Sequence, residues 1–385
     1  MYLKHLGLRN FRTYKELELD FPPGLCVLYG ENGRGKSNLM EAIYLLALTK
    51  SHRAESDREV IRFESLKEVP YTRIVGTANH FDGSEVTVQV DMGLPVPVVN
   101  SGSLGSLAKR IRVNGVPRLA SAAIGAVNAV LFSAEDIFLV TGPPAGRRRF
   151  LDVLTSQMEQ GYMRTLQTYQ RILTQRNQLL RRVGDGTANT QELEFWDREF
   201  SLHGARLIQG RQMAVTSLAP LAAAEFARLS SDEERLELHY EPAVEPNAPI
   251  DEIETRLLEL LSTLRHKEIQ VGQTLIGPHR DDLRLFLDTR QVGSYGSRGQ
   301  ARLVALVLRL AEADLLAQRL RDEPILLLDD VFSELDARRR DHVLERAHKS
   351  QQALVTMVGL EQHPRASETA IAIAEVRKGT VSFLQ

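Results

Sequence analysis

The chain has 385 residues and a formal net charge of −2, with 43% hydrophobic and 25% charged residues. That balance excludes a disordered or collagen-like polymer and a uniformly basic nucleic-acid binder, because no global positive field exists. Cys26 is the one cysteine, which excludes an internal disulfide and fits a reducing compartment.

Residues 2–28 read as strands, with Leu3, Leu6 and Leu8 and then Leu17, Leu19 and Phe21 in near-alternation. Pro22-Pro23-Gly24 is a turn. Residues 25–29 form an apolar strand in which Cys26 reads as a small core residue. A glycine-rich segment, Gly30 to Gly35, follows, and a helix begins near Lys36 and runs through Met40, Ile43, Leu45 and Leu48. Residues 72–118 alternate like strands, with Pro95, Pro97 and Ser101 to Ser106 marking loops.

Near residue 145 the period changes. Phe150, Leu154, Met158, Tyr162, Leu166, Tyr169, Leu173 and Leu180 predict one long amphipathic helix. Gly184-Asp185-Gly186 ends it, and Asn189 with Glu192 is a capping-box restart. A second helix then carries Trp196, Phe200, His203, Leu207, Leu218 and Leu221. At 1.5 Å per residue each helix reaches roughly 50 Å, so a helical hairpin or arm is expected. Residues 231–249, with Pro242, Pro246 and Pro249, read as a connector, and 251–268 as a further helix. Strand character returns at 283–287, and the last hundred or so residues alternate helix and strand as in an α/β sheet. No apolar stretch approaches the ~20 residues of a membrane span, and the N-terminus has no signal-peptide core. A cytoplasmic chain with no membrane partner is expected.

The strongest motif is Gly30-Glu31-Asn32-Gly33-Arg34-Gly35-Lys36-Ser37, which fits G-x-x-x-x-G-K-[ST] between a strand and a helix. Its glycines let backbone N–H groups curl around phosphate oxygens, and the helix N-terminus adds partial positive charge. Lys36 would place an ammonium at the β/γ-phosphates, and Ser37 would offer a hydroxyl to Mg²⁺. The run Ile325-Leu326-Leu327-Leu328 suits a strand buried on both faces, ending in Asp329 and Asp330. Carboxylates there fit ligand binding at the carboxyl edge of a parallel sheet. Asp329 would hold Mg²⁺, and Asp330 would orient or deprotonate the attacking water.

Ser297-Arg298-Gly299-Gln300 precedes a helix, with Ser297 and Gln300 spaced as a capping box. This second helix N-terminus either only caps its helix or also faces a nucleotide γ-phosphate. The P-loop already supplies its own helix, so the second must then come from another subunit.

P-loop, Ser-x-Gly-Gln, apolar strand with two acids, then Ser333-Glu334-Leu335-Asp336: this order resembles the ABC-type ATPase heads of SMC-like proteins. Asn10-Phe11-Arg12, Asn38-Leu39-Met40-Glu41, Ser51-His52-Arg53 and Phe132-Ser133-Ala134-Glu135-Asp136 narrow the resemblance. So do Gly142-Pro143-Pro144 and Gly277-Pro278-His279-Arg280-Asp281-Asp282. The chain is identified by these blocks as resembling the RecF family of bacterial recombination mediators. The resemblance implies an α/β fold: an ABC-type P-loop ATPase head split in sequence, with a helical insertion lobe. Expected boundaries are 1–122 and 272–385 for the ATPase and 123–271 for the lobe. It also implies ATP and Mg²⁺ as cofactors, with Arg12 and Asn38 joining the P-loop at the nucleotide and Ser333 and Asp336 in a D-loop. It further implies an ATP-dependent homodimer and binding to gapped DNA. RecR and RecO would be partners, with RecA loading as the indirect outcome and slow hydrolysis as a release switch. Ser133 or Glu135 stands where many ABC heads carry a metal-contacting glutamine, and Thr356 where transporters often place a histidine.

DNA contact is expected from arginines. Arg147, Arg148 and Arg149 are contiguous, and Arg164, Arg171 and Arg182 fall on one helical face. The alternative for these is a solvated face or an ion-pair seam. The alternative function is an SMC-like ATPase coupled to DNA processing of the nuclease type, which needs a second acidic metal site; residues 360–385 carry only Glu361, Glu368 and Glu375.

Overall fold

The computed structural model describes residues 1–67, 69–93, 107–230, 234–362 and 364–384. The loop expected around Pro95, Pro97 and Ser101 to Ser106 lies outside them. The chain separates into two compact units, Met1–Asp136 with Arg309–Gln385, and Ile137–Leu308. In chain order the strands are β1 (Tyr2–Phe11), β2 (Tyr14–Asp20), β3 (Gly24–Tyr29), β4 (Tyr71–Asn79), β5 (Glu85–Gly93), β6 (Ala108–Val113), β7 (Val116–Arg118) and β8 (Ala129–Ser133). After them come β9 (Leu236–Glu241), β10 (Asp282–Leu287), β11 (Arg290–Gln291), β12 (Ile325–Asp329), β13 (Gln352–Met357), β14 (Ala372–Arg377) and β15 (Thr380–Phe383).

The first unit holds two six-stranded sheets. One is antiparallel, ordered β2-β1-β4-β5-β6-β7. Its β1 shifts register against β4 between Leu3 and His5. That bulge explains why Leu3 and Leu6, three apart, both face the core, whereas strict alternation would put them on opposite faces. The other sheet, β15-β14-β3-β13-β12-β8, is parallel except for β15. Leu25–Leu28, Ile325–Leu328 and all of β13 are buried, as a sheet covered on both faces requires. Cys26 is among them, and burial pushes its thiol up to about 12, so it is an inert core residue. Because the pairing is parallel, the carboxyl ends of β3, β13, β12 and β8 lie along one edge.

The second unit packs helices on the small antiparallel sheet β11-β10-β9. Three sequence expectations are corrected here. The single helix expected from about 145 to 184 is two, Pro144–Met158 and Tyr162–Gly184, divided at Gly161 with φ +96. Hydrophobic period could not reveal the break, because Leu154 and Tyr162 are buried on either side of it. The connector at 231–249 contains β9, whose partner β10 is distant in sequence. The lobe boundaries also move. Residues 129–133 pair with β12 and belong to the ATPase unit, whereas β10 pairs with β9 and belongs to the helical one. The capping box is present: Asn189 N donates to Glu192 Oε1 (2.9 Å), and a helix runs Leu193–Leu229. No helix among the described residues is long and apolar enough to cross a membrane.

Candidate nucleotide site

The loop between β3 and the helix Lys36–Leu48 is shaped by glycine. A Cβ on Gly30 would lie 2.4 Å from the Val376 carbonyl oxygen. Gly35, at φ +115, would place one 2.8 Å from Tyr14 Oη and 2.9 Å from Thr13 Oγ1. Tyr14 Oη in turn donates to Gly35 O (3.1 Å), and Asn38 Nδ2 to Thr13 Oγ1 (3.1 Å), so the β1–β2 turn buttresses the loop. Glu31, Asn32, Gly33 and Arg34 are exposed, with Arg34 paired to Glu31.

Lys36 is 7% exposed. Its ammonium folds back on the loop and donates to Gly30 O (2.5 Å) and Glu31 O (3.0 Å). Burial lowers its pKa, against the opposing pull of the Asp330 and Asp329 carboxylates. A phosphate would replace the two carbonyls as acceptor.

Across the sheet edge, Ser37 Oγ donates to Asp329 Oδ1 (3.0 Å). Thr356 Oγ1, at the end of β13, donates to the same oxygen (2.9 Å) and accepts from Asp330 N (2.9 Å). One hydroxyl thereby positions both acids. Asp330 sits at φ +53, a left-handed conformation uncommon for a residue with a Cβ, and the Thr356 bond helps hold it there. The pair Ser37 Oγ and Asp329 Oδ1 is a hard-oxygen donor set and fits Mg²⁺, which takes oxygen ligands and keeps positions for water and phosphate.

Arg12 is held by neighbouring acceptors. Its guanidinium donates to both carboxylate oxygens of Glu41 (2.8 and 2.6 Å) and to Glu59 O (2.7 Å). Glu41 is fully buried and also accepts from Ser51 Oγ (2.5 Å). Arg12 therefore ties β1 to the P-loop helix. Sequence reasoning noted Thr356 and Glu41 without giving either this role, and it missed Arg309. Arg309 donates to Asp136 (3.0 and 2.7 Å), which accepts from Ser133 N (2.7 Å) and so fixes the turn after β8. The available signal was a polar residue inside an apolar run, as Thr356 is in Ala353–Met357 and Glu41 in Leu39–Leu48.

Beyond the paired acids, Ser333 Oγ donates to Asp330 O (2.8 Å), and Asp336 caps the helix Ala337–Lys349 through Arg339 N (2.9 Å). In the helical unit, Gln300 N donates to Ser297 Oγ (3.1 Å) and Ser297 N to Gln300 Oε1 (2.9 Å), which completes the expected capping box. Gln300 Nε2 is anchored on Glu234 (2.9 Å). Ser297, Arg298 and Gly299 stay exposed, and a Cβ on Gly299 would meet only Ser297 Oγ at 3.8 Å.

The arginines divide. Arg147 is 7% exposed and forms a two-pronged pair with Asp282 (2.7 and 2.8 Å). It is an internal ion pair and is removed from the exposed candidates. Arg148 donates to Asp281 O (2.8 Å). Arg149, Arg164, Arg171 and Arg182 are exposed.

The RecF/RecN/SMC N terminal domain model matches residues 2–382. The DNA replication and repair protein RecF of Roseiflexus castenholzii is 43% identical over 94% of each chain. That of Chloroflexus aurantiacus is 39% identical over 99% of each. The solved structure of a recombination mediator protein RecF with ATP superposes with TM-score 0.87 at 29% identity, covering 100% of this chain and 98% of that one. An Smc head matches at TM-score 0.53 and 16% identity, a likeness of fold. With its P-loop, paired acids and split ABC-type ATPase head, the chain belongs to the RecF family.

Proposed function

We propose that the chain is an ATP-dependent DNA-binding protein of recombinational repair and replication-gap recovery, with ATP hydrolysis as its switch. The observation that carries this is the Ser37–Asp329–Thr356 arrangement at the mouth of the P-loop. It holds a carboxylate and a hydroxyl where a nucleotide's phosphates would lie. Lys36 would exchange its two carbonyl acceptors for β/γ-phosphate oxygens. Mg²⁺, when bound beside Ser37 and Asp329, supplies charge neutralisation on those phosphates. Asp330 would orient the attacking water and accept its proton, acting as general base.

The exposed Ser297–Gln300 segment would complete the site of a second copy, making ATP the bridge of a homodimer. The P-loop has its own helix, so the free capped N-terminus is suited to another molecule's nucleotide. Association would bring two sets of exposed arginines onto the DNA backbone at a gap. The relatives' names and the RecFOR pathway of the solved relative support RecR and RecO as partners, with RecA loading downstream. The test is sedimentation with ATP, with and without gapped duplex. Asp330→Asn should accumulate an ATP-bound dimer that retains DNA, and Lys36→Ala should stay monomeric. Equal oligomeric state for the two variants would overturn the reading.

A further inference from the structure

Three segments distant in sequence meet at the Ser297–Gln300 segment of the helical unit. Leu236 of β9 pairs with Leu287 of β10. At the ends of that pair, Arg235 N donates to Asp288 Oδ1 (3.0 Å) and Asp288 N donates to Arg235 O (2.9 Å). This double tie fixes the backbone next to Glu234, whose side chain is 14% exposed. Gln300 Nε2 donates to both oxygens of the Glu234 carboxylate (2.9 and 3.3 Å), which also accepts from Arg290 of β11. Glycine contacts limit the approach to the segment from its other side. A Cβ on Gly293 would lie 2.6 Å from Val140 O, and one on Gly296 would lie 2.6 Å from Val292 O.

The chemistry of the Glu234 contact sets a direction. A carboxylate accepts hydrogen bonds, whereas the amide of Gln300 has one donating end and one accepting end. With Nε2 turned to Glu234, Oε1 must turn to the Ser297 N–H, where it accepts at 2.9 Å. Without Glu234 the amide loses the partner that holds it in this sense, and the flipped amide would present N–H to N–H. Ser297 Oγ accepts from Gln300 N (3.1 Å), which directs its own proton away from the helix. We infer that Glu234 is a positioning residue for ATP hydrolysis in trans: by fixing Gln300, it aims the Ser297 hydroxyl at the γ-phosphate of the nucleotide that a second copy binds. The inference rests on the ATP-bridged homodimer proposed above and names the residue that orders its donor. Glu234 acts through Gln300 and touches no nucleotide. A hydrogen bond to a carboxylate is the strong kind, whereas Arg290, 63% exposed, adds a solvated ion pair of small worth. The acceptor oxygen therefore matters more than the charge pair.

In the full chain, Glu234→Ala should lower ATP turnover about 10–100-fold and leave ATP binding at its own P-loop unchanged. Glu234→Gln keeps an acceptor oxygen and should recover most of the loss. Arg290→Ala should stay within about twofold of wild type. The deciding measurement mixes Glu234→Ala with Lys36→Ala, each nearly inactive alone. In a mixed dimer the intact P-loop of the first variant faces the intact Ser297–Gln300 segment of the second. Random pairing makes about half of the dimers mixed, each with one competent site of two, so turnover should rise to about one quarter of wild type. That rise also shows that Glu234→Ala is folded. A residue that served only its own chain's nucleotide, or only stability, would give no rise. Ser297→Ala mixed with Lys36→Ala is the reference pair. The inference is overturned, with the dimer reading intact, if the reference pair regains turnover and the Glu234→Ala pair does not. Glu234→Ala turning over as fast as wild type overturns it equally. If neither pair regains turnover, the dimer reading and this inference fall together.

Discussion

Two acidic clusters in this chain differ in what holds them. At the sheet edge of the ATPase unit, Asp329 accepts hydrogen bonds from two neutral hydroxyls, Ser37 and Thr356. In the helical unit, Asp197 is gripped by Arg176 (2.8 Å) and Arg265 (2.9 Å), and Glu268 by Arg176 (2.7 Å) and the Leu275 N–H (2.7 Å). A carboxylate oriented by hydroxyls keeps its negative charge available to a cation. A carboxylate neutralised by buried arginine has its charge spent on the fold. Local partners, rather than the presence of acids, separate chemistry from architecture.

The comparison breaks most visibly at Asp330. Asp330→Asn keeps the shape and removes the proposed base, so ATP turnover should fall by roughly 10²–10⁴ while ATP binding persists; stopped-flow phosphate release and nucleotide binding check this. Undiminished turnover would place the base elsewhere.

In the helical unit the expected loss is one of stability. Arg176→Ala would leave Asp197 and Glu268 without their shared cation in a fully buried site, costing about 3–5 kcal/mol. Denaturant unfolding should show a lowered midpoint, and a change under ~1 kcal/mol would contradict the structural role.

The polar core of the helical unit also makes stability depend on pH. His279 is held neutral by burial, with Nδ1 on Tyr169 Oη (2.8 Å) and Nε2 near Thr274 O (3.2 Å), and its pKa falls to about 4. The unfolded chain binds that proton near 6.5, so this contribution is present above pH 6.5 and is lost as pH falls towards 4. It amounts to about 3 kcal/mol. Asp281 works in the opposite sense. Burial raises its pKa, so its contribution is present below 3.8 and fades as pH rises. Unfolding midpoints between pH 7 and 4.5 should fall for wild type and fall less for His279→Gln.

The smallest effect expected is at Thr356. Thr356→Val preserves volume but deletes the hydroxyl that aims Asp329 and holds the Asp330 N–H. Turnover should fall about 10–100-fold, as for other groups that orient ligands, with Mg²⁺ dependence shifted to higher concentration. An unchanged Mg²⁺ titration would show that Ser37 alone suffices to aim the carboxylate.

The P-loop, the two acids and the capping box at Ser297 were legible from the chain because each is a local pattern. Glycine is required by backbone approach within a few residues, and a cap joins positions three apart. The buried parallel strands were legible because continuous apolar runs have few other destinations. What the sequence could not decide is which charged groups meet. Arg147 looked like its neighbour Arg149, yet it lies buried against Asp282, far away in sequence. Arg12 was expected beside the nucleotide, and its pairing with Glu41 was a contact that the chain alone did not show. The helix break at Gly161 and the strand Leu236–Glu241 were likewise tertiary decisions. A left-handed glycine leaves hydrophobic period nearly intact, and β-pairing needs a partner that local reading cannot supply. Side-chain identity by itself determined the chemistry available at the phosphate loop; long-range packing determined which of the remaining charges were buried in the fold and which remained exposed.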